Sequence, residues 1–145
     1  MEQDSRRREI METNTKTLQV GVKALLSNKE GKYLLLHRNL EVYPEVNHPW
    51  DIVGGRIDPG SSLVDNLKRE IFEETKLELV DTPKLIAAQD ILKNDKHVVR
   101  LTYTANIEGE PVLEREHDAF RWLTLEELKN LSDLDSYVKA ILNLL

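Results

Sequence analysis

The 145-residue chain carries 40% apolar and 32% charged residues, a balance that suits one globular domain and excludes collagen-like, coiled-coil and broadly disordered classes. It has no cysteine and a formal net charge of -6, which rules out disulfides, thiolate catalysis and cysteine-bound zinc and disfavours general attraction to nucleic acid. No run approaches the roughly 20 consecutive apolar residues that a membrane-spanning helix needs, and the charged start lacks the apolar middle of a secretory leader, so a cytoplasmic protein is expected.

Residues 1–16 read as a polar, solvated arm, because the basic run Arg6-Arg7-Arg8 is offset by Glu2, Asp4 and Glu9. From residue 17 the chain reads as one domain. Leu18–Leu26 and Lys32–Arg38 are rich in apolar and β-branched residues and flank the turn residues Ser27–Gly31, which predicts a β-hairpin. Asn39–Pro49 reads as a loop, and Trp50–Val53 as a short strand ending at Gly54-Gly55, followed by a turn at Asp58-Pro59-Gly60. Leu63, Leu67 and Ile71 recur at four-residue spacing, predicting a helix from Ser61 or Ser62 to Thr75. Leu77–Val80, Lys84–Leu92, His97–Ile107 and Ala119–Leu123 read as further strands. Thr124-Leu-Glu-Glu127 has the spacing of a capping box, which starts a helix whose final turns come from Asp135–Leu145. The expected fold is α+β, a mixed sheet covered by helices.

The helix that starts at Ser61 or Ser62 bears the chemistry. Glu70, Glu73 and Glu74 share one arc of its surface, since residues three and four apart are neighbours. Like charges so arranged cost a few tenths of a kcal/mol per i,i+4 pair in an exposed helix, and a hard divalent cation reverses that sign. A charged run on a helix is more often a solvated face. Here a strand, a Gly-Gly pair and a compact turn precede it, and that context favours a metal-bound phosphate.

The segment Gly55–Leu77 resembles the Nudix box, the 23-residue signature of the Nudix hydrolases. Its pattern is glycine, five residues, glutamate, seven residues, Arg-Glu, an apolar residue, any residue, Glu-Glu, any residue, glycine and an apolar residue. Gly55, Arg69, Glu70, Ile71, Glu73, Glu74 and Leu77 match it, while Ser61 stands for the first glutamate and Lys76 for the later glycine. The order of elements over roughly 17–145 is similar to the whole family domain, an α/β/α sandwich with the box helix packed on a mixed sheet.

The resemblance implies Mg2+, with Mn2+ as a substitute, held by Glu70 and Glu74 with help from Glu73 and the carbonyl of Gly54 or Gly55. It implies that Arg69 orients the glutamates, and that Glu70 or a glutamate from another loop takes the proton of the attacking water. Glu116 matches an additional metal-binding glutamate of some members, against the plainer reading of a solvated loop carboxylate. Arg38 resembles a phosphate-contacting arginine, or is an exposed strand end. Trp50 stacks near the base or packs the core. His48 and His117 have incidental roles in this reading. The implied activity is nucleoside triphosphate pyrophosphohydrolysis; hydrolysis of ADP-ribose or another nucleotide sugar, and nucleotide binding with weak or no catalysis, are the alternatives. The partner is a small nucleotide, not a membrane or nucleic acid, and dimers are frequent among relatives.

Overall fold

The computed structural model describes residues 16–145; the expected basic run Arg6–Arg8 lies outside them. Seven strands form one mixed sheet: β1 (Thr17–Ser27), β2 (Tyr33–Arg38), β3 (Trp50–Asp51), β4 (Val53–Arg56), β5 (Lys84–Leu92), β6 (Lys96–Asn106) and β7 (His117–Leu123). Among the described residues three helices cover it: α1 (Leu63–Thr75), α2 (Leu125–Lys129) and α3 (Ser136–Ile141), the last followed by a 3-10 turn over Leu142–Leu144. No described helix is long and apolar enough to cross a membrane.

β1 is the spine. It runs parallel to β6 along its whole length and antiparallel to β4 through residues 21–24. Val22 and Ala24–Leu26 are fully buried, as a central strand covered on both faces requires. Alternation along it divides two cores. Val22, Ala24 and Leu26 pack with Val53, Leu67 and Ile71 beneath α1. Leu25 packs with Leu35, Ile52, Leu128 and Val138 beneath α2 and α3. These layers are the α/β/α sandwich expected.

Four local expectations are corrected. The hairpin opens at once: β1 and β2 pair only at Ser27 and Tyr33, because β4 and β6 occupy the edges of β1 while β2 goes on to pair with β7 and β3. The turn chemistry is as expected, with Asn28 Oδ1 accepting from the amides of Glu30 and Lys32. The strand at Trp50 breaks at Ile52 and resumes through Gly54-Gly55 to Arg56, so the glycines belong to a strand and not to a loop. Leu77–Val80 makes only an isolated bridge from Leu79 to Ile107.

The C-terminal helix is two short helices. Between them Asp133 accepts from the amide of Trp50 and Asp135 donates to the Trp50 carbonyl, which satisfies the open edge of β3. Asp135 then caps α3 by accepting from the amides of Tyr137 and Val138. Trp50 itself lines no part of the main cleft. It packs against the second core, with the His37 ring edge-on at 4.9 Å. Of the two readings of Trp50, these contacts favour core packing over a place against substrate.

Candidate active site

Ser62 caps α1 through Asp65, and Lys76 ends it in the left-handed region at φ 63, the conformation glycine takes at the matching family position. The strain on a side-chain-bearing residue there is on the order of 1 kcal/mol, and Lys76 Nζ is tied to Glu114 at 2.8 Å. The loop before α1 is held by Asn66, which is buried; its Oδ1 accepts from Asp58 N and its Nδ2 donates to the carbonyl oxygens of Ser61 and Ser62. Arg69 donates to Asn66 Oδ1, Glu70 Oε1 and Glu73 Oε2 and lies 3.4 Å from Asp58 Oδ2. With Ser61 uncharged, Asn66 and Asp58 support this arginine.

The glycines set the depth of the site. A Cβ on Gly55 would stand 2.7 Å from Glu70 Oε2, and one on Gly54, at φ 143, would stand 2.1 Å from the Val22 carbonyl. Only glycine lets the helix carboxylates and β1 approach β4 this closely. The Gly54 amide donates to Glu74 Oε1 at 3.0 Å.

Glu70, Glu73 and Glu74 all line one cleft of about 1000 Å3, together with Gly54, Gly55, Arg38 and Glu116. The expected convergence of three carboxylates is not formed: among the described residues no three acidic or imidazole groups already stand around a single point. Glu73 is over half exposed and leans on Arg69, whereas Glu70 and Glu74 are each 14% exposed. Burial raises the pKa of Glu70, and it pushes Glu74 up to about 7 against the pull of Lys23 and the Gly54 amide.

Lys23 and Arg100 of the cleft, and the buried Asp51 that anchors them, escaped the sequence reading. Asp51 is 1% exposed and accepts from Arg38 at 2.9 Å and Arg100 at 3.3 Å, with Lys23 Nζ at 3.2 Å. Their signal was present as lone charges inside apolar strands, Lys23 between Val22 and Ala24 above all. Arg38 lies on the cleft, anchored by Asp51. His48 lines the cleft as well, and His117 stands 3.7 Å from Glu74. Burial, Lys23 and Arg38 lower the His117 pKa to about 4.

Glu74 and His117 give opposing pH dependences. The raised Glu74 contributes stability that is full below its ordinary 4.5 and lost as pH rises through about 7. The depressed His117 contributes stability that is full above its ordinary 6.5 and lost as pH falls through about 4. In EDTA the melting temperature is expected to be nearly flat over this window. Glu74→Gln leaves an unfolding free energy that rises with pH and His117→Gln one that falls, each by up to roughly 3 kcal/mol. Parallel curves for the two variants would contradict these opposing contributions.

Comparison with known proteins agrees with this geometry. The NUDIX domain model matches residues 17–144. The bis(5'-nucleosyl)-tetraphosphatase [asymmetrical] of Rattus norvegicus is 30% identical over 104 residues, 66% of this chain and 68% of the relative. The MutT protein from Methanosarcina mazei Go1 superposes with a TM-score of 0.77 at 27% identity, covering 88% of this chain and 92% of its own. The MutT NUDIX hydrolase from Burkholderia pseudomallei gives 0.75 at 26% identity, covering 90% and 99%. Sequence family, relatives and fold converge, and the chain belongs to the Nudix hydrolases, which act on pyrophosphate bonds.

Proposed function

We propose that this protein is a magnesium-dependent nucleoside triphosphate pyrophosphohydrolase. The observation that carries the reading is the seating of Glu70 and Glu74 against Gly55 and Gly54 in a cleft whose walls are rich in lysine and arginine. The donor set suits a hard divalent cation, with carboxylate and carbonyl oxygens and no sulfur. Burial holds both carboxylates in an environment that disfavours their charge, a penalty that a bound cation offsets.

Glu70 and Glu74, with the carbonyl of Gly54 or Gly55 and with Glu73 swinging in from Arg69, hold Mg2+ or Mn2+ in this reading. When bound, the ion supplies charge neutralisation on the diphosphate and acidifies a water. Arg69 keeps the Glu70 carboxylate oriented through its 3.0 Å bond. Arg38, fixed by Asp51, offers its guanidinium fork to a phosphate. Glu116, from the loop facing α1, or Glu70 accepts the proton of the attacking water, and His117 remains neutral beside them at physiological pH.

The test is a panel of ATP, other nucleoside triphosphates, ADP-ribose and diadenosine tetraphosphate, with Mg2+, Mn2+ or EDTA. The expected result is metal-dependent release of pyrophosphate and a nucleoside monophosphate from triphosphates. Cleavage confined to ADP-ribose, or nucleotide binding without turnover, would overturn the proposal. A dinucleoside polyphosphate is the second reading, favoured by the rat relative, and would appear in the same panel as preferential cleavage of diadenosine tetraphosphate.

A further inference from the structure

The cleft has two unlike walls. On one, Gly55 faces α1 and the box carboxylates; on the other, Arg56 projects toward Gly21, where a Cβ would stand 3.5 Å from its Nη1. Consecutive strand residues point to opposite faces, so this second wall is the sheet face that also carries Lys23 and Arg100. Its charges do not balance. Lys23, Arg38 and Arg100 share Asp51, and Arg100 also meets Asp135 at 3.4 Å. Arg56 is a fourth cation, and among the described residues it has no carboxylate partner; its Nε donates to Gln19 Oε1 at 3.0 Å. Lys23 also faces Glu70 and Glu74, so Arg56 is the cation of this wall left without a carboxylate among the described residues.

A second feature of the wall points the same way. Arg100 is 5% exposed and lines the cleft, yet its Nε has no hydrogen-bond partner. A buried N–H in this state calls for an acceptor. The wall is also poorly suited to a stacked base. The cleft's two tyrosines, Tyr43 and Tyr137, are each already covered by an arginine at 5.6 Å, and Trp50 is committed to the core. Burial together with repulsion from Arg38 and Arg100 lowers the Arg56 pKa, as expected for guanidinium groups gathered without their counter-ion.

We propose that Arg56 and Arg100 form an anion subsite that takes a phosphate group of the substrate lying beyond the scissile linkage, and that this subsite selects polyphosphate chains of three or more phosphates over diphosphates. Arg56 follows Gly55 directly along β4, and Arg56, Arg100, Glu70 and Glu74 line the same cleft. Guanidinium forks match phosphate oxygens bidentately. This rests on the pyrophosphohydrolase reading above for its substrate, but its physical content is separable from catalysis.

Two measurements test it. In Mg2+, the ratio of kcat/KM for ATP over ADP-ribose should fall at least about tenfold in Arg56→Gln, through KM, while Arg56→Lys keeps most of the ratio. In EDTA, calorimetric titration with inorganic tripolyphosphate should give a single site in the unaltered protein and binding weaker by at least about tenfold in Arg56→Gln. An unaltered ratio, or equal tripolyphosphate affinity in the two proteins, overturns the subsite. If the unaltered protein cleaves no nucleotide, the pyrophosphohydrolase reading falls and the titration still decides the subsite.

Discussion

Glu74→Gln is expected to reduce kcat by about 10²–10⁴-fold, the range lost when a positioned acid, base or metal-holding carboxylate is removed, while the fold survives. Glutamine keeps the size of the side chain and an oxygen to accept from the Gly54 amide. What it loses is the charge. The expected stability effect has the opposite sign to the activity effect: above pH 7 in EDTA the native protein must hold an ionised Glu74 in a buried site, so the variant should melt at a higher temperature. Added Mg2+ should then raise the melting temperature of the native protein and not of the variant, since a ligand stabilises only the state that binds it. Such a trade of stability for activity marks a functional site. A folded variant of native turnover would remove Glu74 from the chemistry.

The second large effect is on stability. Asp51→Asn should destabilise the fold by roughly 3–5 kcal/mol, the cost of leaving buried charges uncompensated. Lys23 and Arg100 are 8% and 5% exposed and both depend on Asp51. Burial opposes its ionisation, but Lys23, Arg100 and Arg38 outweigh burial and hold the Asp51 carboxyl well below its ordinary range. A depressed acid contributes stability that is present above its unfolded pKa and lost as pH falls through its folded one. The deficit of the variant should therefore persist at neutral pH and shrink only in strong acid. Urea unfolding of Asp51→Asn, and of Asp51→Asn with Lys23→Met, provides the measurement. The double variant should recover part of the loss, and a single-variant cost under about 1 kcal/mol would show that the network is solvated.

Much of the local structure was legible along the chain. The helix ending at Thr75, the capping box at Thr124 and strand β5 lie where spacing and turn chemistry put them, while the choice of Ser62 over Ser61 as the cap of that helix came from the structure. The carboxylates of Glu70 and Glu74 do reach one cleft, as helical periodicity required. The separation of β1 from β2 was not legible, because a turn between two apolar runs predicts a hairpin whatever else competes for their edges. Trp50 was ambiguous for a related reason, since an aromatic residue beside a glycine pair reads equally as core or as platform.

Short-range periodicity alone settles where the box helix lies and which carboxylates share its face, because these depend on residues within two turns of one another, and the family resemblance needs only the spacing along Gly55–Leu77 and the order of elements. Strand pairing decides the rest. Arg100 meets Asp51 across 49 residues and Lys23 reaches the Ile52 carbonyl across 29, contacts that exist only once β6, β1 and β4 are in register. His117 comes beside Glu74, and Arg56 opposite Gly21, for the same reason. Burial and the neighbouring charges then set how each group ionises, and neither quantity has a value until the sheet has formed.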